Sequence, residues 1–160
     1  MPEDLTLRRP SPDTATEASI ASGPRAGFWQ RFLASLIDGV PFALLGYLGH
    51  RVGWTSSSIA SDAVVAALSL LYFAYLEGSP SGQTVGKRML GIRVMDFETG
   101  APLGFGRAAL RQFARGLSAC ALALGYLWML WDPERRTWHD KLTDSVAVPA
   151  MDYPVERWPG

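Results

Sequence analysis

Three apolar stretches divide the chain: Phe28 to Gly49, Ile59 to Leu76 (18 residues with Asp62 as the one charge) and Leu117 to Trp131 (15 residues with none). A spanning helix needs about 20 mostly apolar residues, with about 17 as the lower limit. The first two stretches therefore predict transmembrane helices, and the third is short for a crossing. Phe28, Trp29, Tyr47, Trp54, Tyr75, Trp128 and Trp131 gather near segment ends, where amphipathic rings suit a membrane–water interface. Between Glu77 and Phe105 the chain turns polar and Gly-rich. It then alternates over Met89 to Asp96 with Leu90, Ile92 and Val94 on one face, which predicts a short strand closed by a turn near Glu98, Thr99 and Gly100. Ser145 to Ala150 is a second strand candidate. An isolated strand is not stable, so the two are expected to pair at the membrane surface, which requires both on one side.

Arg31 and Asp38 interrupt the first stretch. A charge at a bilayer centre costs about 2.5 to 3.5 kcal/mol even on the insertion scale, so neither faces lipid. Seven residues at about 100° each make nearly two turns, which points both side chains the same way, about 10 Å apart along the axis. The expectation is an oppositely charged pair sheltered together by neighbouring protein. Ser35, Gly39 and Ala43 run beside it with the small-xxx-small spacing that admits a second backbone, and Ala63 and Ala67 are the expected partners. Pro41 lacks an N–H and frees the carbonyl of Ile37, with Gly39 weakening the helix further. The resulting bend either shapes packing or leaves a carbonyl beside a carboxylate where a cation could bind.

Arg107, Arg111 and Arg115 recur every four residues with Leu110 and Phe113 between them. This reads as the basic stripe of an amphipathic helix lying among lipid headgroups, where each Arg near anionic lipid contributes about 1 kcal/mol. A voltage sensor repeats Arg every third residue across a full span, and three Arg ahead of an apolar run do not.

Charge places the ends. Of 15 Lys and Arg, Arg51 alone lies between the first two stretches, whereas Arg8, Arg9, Arg25, Lys87, Arg88 and Arg93 lie on the other side, which makes the N-terminus cytoplasmic. Arg135, Arg136 and Lys141 favour the same side, so the third region is read as an in-plane helix plus a re-entrant hairpin. Residues 1–24, with four prolines and no apolar periodicity, read as a disordered cytoplasmic tail. They do not form a signal peptide, because the apolar region starts late and carries charges. Residues 150–160 read as a C-terminal tail. The formal net charge is zero, which implies no nucleic-acid partner. Cys120 is the only cysteine, which excludes an internal disulfide and a thiolate metal cage and leaves a small packing residue.

Gly82-Gln83-Thr84-Val85-Gly86-Lys87 resembles a phosphate loop, but Ser81 and Arg88 stand where that motif needs Gly and Ser or Thr. Gly104-Phe105-Gly106-Arg107-Ala108-Ala109 fits a loose dinucleotide fingerprint without the flanking strands or the acidic residue about 20 positions on. His139-Asp140 is the only His-Asp dipeptide, and two histidines without clustered ligands do not make a metal site. With no nucleophile–base arrangement either, neither enzyme activity nor a cofactor is expected.

Arg31 and Asp38 in a first membrane helix, the stretch Gly82-Gln83-Thr84-Val85-Gly86-Lys87-Arg88-Met89-Leu90-Gly91-Ile92-Arg93-Val94, and Arg136-Thr137-Trp138-His139-Asp140-Lys141 together resemble the RDD family of membrane proteins, named for one arginine and two aspartates. The resemblance covers roughly residues 25–149, and by motif position Arg31, Asp38 and Asp140 match the namesake residues. Asp144 departs from it, since a glycine usually precedes the final strand. The resemblance implies a bacterial inner-membrane protein, with ligand transport suggested for the family and sodium/proton antiport for some members.

The expected architecture is thus an α-helical integral membrane protein: two spanning helices, an amphipathic or re-entrant third helical region, and a small cytoplasmic β-element, with residues 25–149 as the membrane domain. Two functions compete. In one, Arg31, Asp38 and Asp140 form a fixed ion-pair cluster, and the protein is an adapter or scaffold that docks a membrane partner or a second copy of itself. In the other, Asp38 and Asp140 bind a proton, cation or small ligand in transport while Arg31 serves as counter-ion. A guanidinium beside a carboxylate lowers its pKa, so proton loading then requires Arg31 to switch partners.

Overall fold

A computed structural model describes residues 23–53, 58–120 and 124–155. The tail expected over 1–24, apart from its last two residues, lies outside the described residues, as do Trp54, the Cys120 side chain and residues 156–160. The fold is mostly helical, with two apolar helices long enough to cross a membrane and one two-stranded sheet. Helix α1 (Phe28–Val52) and helix α2 (Ser58–Gly78) run antiparallel. His50 meets Asp62 at one end at 2.9 Å, and Phe42 packs edge-on against Tyr72 further along.

The face that α1 buries is Arg31, Ala34, Asp38 and Gly49, the spacing of one helical stripe. The expected small-residue contact lies to one side of it. A side chain at Gly39 would meet nothing within 4 Å and Ala43 is exposed, whereas the contact with α2 runs through Phe42 and through Gly46, which faces Val65. Asp38 therefore lies in the contact itself, bonded to Tyr72 of α2, whereas Arg31 faces Asp140 and the Ala147 carbonyl. Helix α1 continues unbroken through Pro41, which is exposed.

Thr84 caps the short helix α3 (Val85–Met89), its hydroxyl accepting from the Lys87 amide at 3.3 Å. A turn at Leu90 and Gly91 follows, so strand β1 is Ile92–Asp96 and starts later than the alternation from Met89 indicates. It is closed as expected: the Asp96 carboxylate accepts from the amides of Glu98 and Thr99, an Asx turn. Strand β2 (Ser145–Pro149) pairs antiparallel with β1, Val94 opposite Ala147. One face of this ribbon packs Ile92, Val94 and Ala147 against Ala34 of α1 and Ala108, and the other packs Met95, Val146 and Val148 with Tyr153.

Helix α4 (Phe105–Cys120) departs from expectation. It begins hard against Gly78, and its far end shares a groove with Ala66, Ala67 and Leu70. It therefore runs back along α2 rather than lying across the helix ends. The chain returns through α5 (Leu124–Leu127) and a 3-10 turn (Trp128–Leu130), and Tyr126 bonds Ser35 of α1 at 2.9 Å. Helix α6 (Trp138–Leu142) then leads into β2.

The burial pattern is inverted relative to a protein folded in water. Leu36, Leu44, Leu71 and Phe113 are more than half exposed, while Arg31, Asp38, Glu77, Lys87, Arg111 and Asp140 are buried.

Asp144, immediately before β2, has φ +41, a left-handed conformation that costs most non-glycine residues about 1 to 2 kcal/mol. Its contact with Arg136 is exposed and 3.4 Å long, so it contributes little. Asp144→Gly is expected to stabilise the protein by up to about 1 kcal/mol, the relief being partly offset by chain entropy. Thermal unfolding in detergent checks this.

Candidate functional site

Two buried polar centres lie between the helices. In the first, Asp38 accepts three hydrogen bonds: from the Tyr72 hydroxyl at 2.7 Å, the Thr84 hydroxyl at 2.5 Å and the Gly86 amide at 2.8 Å. Bonds of this charge-assisted kind contribute about 1.5 to 3 kcal/mol each. Gly86 is required by proximity, since a Cβ there would overlap the Ala34 carbonyl and lie 3.0 Å from the Asp38 carboxylate. Among the described residues no Lys or Arg pairs with Asp38.

The second centre is a chain of ion pairs. Asp140 is held by Arg31, by Arg111 through Nε at 3.0 Å and Nη2 at 2.5 Å, and by the Thr137 amide at 3.1 Å in the capping box of α6. Arg111 continues to Glu77, which also takes Lys87, and Arg115 at 3.1 Å. Arg31 reaches the Ala147 carbonyl of β2 at 3.3 Å, and Arg115 lies over the Phe73 ring at 4.9 Å. Both carboxylates have no exposed surface.

Burial penalises the ionised Asp140 carboxyl, but the Arg111 and Arg31 guanidinium groups outweigh it and hold the carboxyl well below its ordinary range. Burial likewise brings the Lys87 ammonium down to about 8, against the attraction of Glu77. His139 is held well below its usual value by burial and is neutral at pH 7. Among the described residues no three His, Cys, Asp or Glu side chains are placed to hold a metal ion.

Arg31 and Asp38 are sheltered by protein, as the sequence implies, but not with each other. Asp140 is the partner of Arg31, 109 residues away, and Asp38 belongs to the neutral-donor centre. The headgroup reading of the arginine stripe is corrected more fully. Arg111 and Arg115 turn inward to Glu77 and Asp140, and Arg107 is bound to Asp96 and the Thr143 carbonyl. The buried carboxylates of Glu77 and Asp140 draw Arg111 and Arg115 in, and the apolar side of α4 faces out instead.

Sequence reasoning missed Tyr72, Glu77, Thr84, Gly86 and Lys87. One signal was present: Glu77 directly follows the second apolar stretch. The Gly82–Lys87 segment invited comparison with phosphate loops, yet its Thr84, Gly86 and Lys87 all serve the two buried centres.

A family model described as the RDD family matches residues 25–144. A proline-rich antigen homolog of Mycobacterium tuberculosis is 31% identical, the match covering 74% of this chain and 61% of the relative. A proline-rich antigen of Mycobacterium leprae is 35% identical over 48% of this chain and 30% of its own length. An uncharacterised protein of Bacillus subtilis is 27% identical over 77% of this chain and 96% of its own. The matched region thus spans about three fifths or less of the two antigens. No solved structure matches the chain.

Two outcomes follow from this geometry. In double-mutant cycles of unfolding in detergent, Arg31→Ala with Asp140→Ala is expected to show a coupling of about 1 to 3 kcal/mol, and Arg31→Ala with Asp38→Ala one near zero. Lys87 governs the alkaline side. Below about pH 8 the cost of its buried ammonium is present in full. Between there and the ordinary lysine value of 10.5 the unfolded chain keeps a proton that the folded chain has released, so stability rises with pH. Unfolding measured at stepped pH should show this rise in the wild type and not in Lys87→Met.

Proposed function

The chain belongs to the RDD family, and from that premise we propose that it is a multi-pass protein of a bacterial plasma (inner) membrane acting as an adapter or scaffold, its buried ion-pair chain serving as a structural clamp. At 1.5 Å per residue, the 25 residues of α1 and the 21 of α2 reach about 37 Å and 31 Å, enough for a hydrocarbon core of about 30 Å. Their outward leucines find lipid, and their inward charges find protein. Arg25, Lys87, Arg88, Arg93 and Arg107 accompany the sheet, whereas Arg51 stands at the other end, which favours a cytoplasmic N-terminus and β-element.

One observation carries the clamp reading: every carboxylate oxygen of Asp38, Glu77 and Asp140 already accepts from a protein donor. Removing one member of such a buried pair costs about 3 to 5 kcal/mol, which suits a part that fixes helices so that the β-element presents a constant surface to a membrane partner or a second copy.

A second reading, transport of a cation or small ligand in the manner of sodium/proton antiport through Asp38 and Asp140, draws on the neutral surroundings of Asp38. Protonating that carboxylate breaks no ion pair. Proton flux in proteoliposomes decides between the two. Under the clamp reading the wild type shows no cation-driven flux above empty vesicles, and Asp38→Asn, which turns an amide N–H toward existing donors, lowers stability by about 1 to 3 kcal/mol. A wild-type flux that Asp38→Asn abolishes while unfolding stays unchanged would establish transport instead.

A further inference from the structure

Helices α2 and α4 leave an open groove of about 380 Å³ between them, lined by the small residues Ala66, Ala67 and Gly116 and by Gln112, Phe113 and Leu117. Helix α2 runs from Ser58 to Gly78, so Ala66 and Ala67 lie within about 3 Å of its midpoint along the axis. In a bilayer the groove is then at the depth of the acyl chains. Gln112 is the polar group that stands out there. It is partly exposed, and its side chain makes no hydrogen bond among the described residues; the amide oxygen is enclosed and the nitrogen is not. Ser69, which also lines the groove, spends its proton on the Ala66 carbonyl at 2.8 Å. An amide that gives up water without gaining a partner costs about 1 to 3 kcal/mol, and acyl chains offer neither donor nor acceptor.

We infer that this groove is a dimer interface, occupied by the same groove of a second copy of the chain, with the two Gln112 amides bonded to each other near a two-fold axis. The occupant follows from the chemistry of the amide. A carboxamide carries both donor and acceptor, and a half-rotation about its last torsion exchanges the two ends. One copy therefore presents its N–H to the other's C=O, which makes Gln112 complementary to itself. A two-fold interface demands that kind of self-complementarity, because the same patch meets its own image. Small residues let the helices approach closely, and an interhelical amide bond then holds them. Phe113 and Leu117, 64% and 59% exposed, border the groove and supply the ridge that the other copy receives. A Cβ at Gly116 would meet nothing within 4 Å, so the chain itself leaves that space unfilled. The dimer rests on the membrane reading and not on the choice between clamp and transport.

The test uses the full chain, labelled at its N-terminal amine with either a donor or an acceptor fluorophore and reconstituted in vesicles of phosphatidylcholine and phosphatidylglycerol. Energy transfer is followed as the protein-to-lipid ratio is lowered, and flotation of the same vesicles reports whether the protein is in the membrane. The wild type is expected to show transfer above random encounter that declines along a monomer–dimer curve. Gln112→Leu, which keeps the bulk and removes the amide, should weaken the dimer by about three- to fifteenfold, the equivalent of one interhelical hydrogen bond of about 0.6 to 1.6 kcal/mol. Gly116→Leu fills the groove without touching the rest of the monomer, so it should abolish transfer over the same range while thermal unfolding in detergent stays unchanged or rises. Protein that floats with the vesicles and shows no transfer overturns the dimer alone and leaves the groove to lipid or to a different protein. Transfer that neither variant reduces places the contact on another face and overturns it too. Protein that fails to float overturns the membrane reading, and the dimer with it.

Discussion

The fold depends on two carboxylates that water cannot reach. Asp140 joins α1 to α4 through Arg31 and Arg111 while capping its own helix, and Glu77 joins α2 to α3 and α4 through Lys87, Arg111 and Arg115. Arg111 bridges the two, so five helices meet in one continuous run of ion pairs. Between helices in an apolar surrounding the hydrophobic effect supplies no drive, because the alternative neighbour is equally apolar. This arrangement gives every carboxylate oxygen of Asp38, Glu77 and Asp140 a protein donor. The small sheet joins the same system through Arg31 and the Ala147 carbonyl.

This explains which parts were legible in the sequence. Periodicity and length reveal α1, α2, the two strands and their pairing, because these depend on local pattern. The shelter of Arg31 and Asp38 was legible too, since a charge in an apolar helix has to be covered. Their partners were not. A helical wheel gives the direction of a side chain but not which segment arrives there, and Asp140, Thr84 and Gly86 arrive from 109, 46 and 48 residues away. Helix α4 misled for a related reason. Its amphipathic pattern is unmistakable, but a pattern does not name the solvent, and the reading that puts arginines outward assumes there is no polar interior to receive them. Here Glu77 and Asp140 form that interior.

The segment from Gly82 to Lys87 shows how a motif can look like ligand chemistry and serve architecture. Gln83 bonds the Ile92 carbonyl of β1 at 3.0 Å, Thr84 both caps α3 and bonds Asp38, Gly86 lets α3 approach α1, and Lys87 reaches Glu77. A glycine-rich turn before a short helix presents amide N–H groups to an anion, as phosphate loops do. In this protein the anion is the chain's own Asp38.

The two centres differ in a way that bears on any function. Asp140 and Glu77 are tied to guanidinium groups that do not lose their protons, so their charges are locked. Four cations, Arg31, Lys87, Arg111 and Arg115, face these two carboxylates, and only Lys87 among the four can shed its charge. Burial already draws its ammonium toward neutrality while Glu77 opposes. Asp38 is held instead by neutral donors, among them the amide of Gly86, the residue just before Lys87, and is in no ion pair among the described residues. Lys87, on helix α3, is thus the one member of this network whose charge can change, while the arginine-bound carboxylates hold the helices in place.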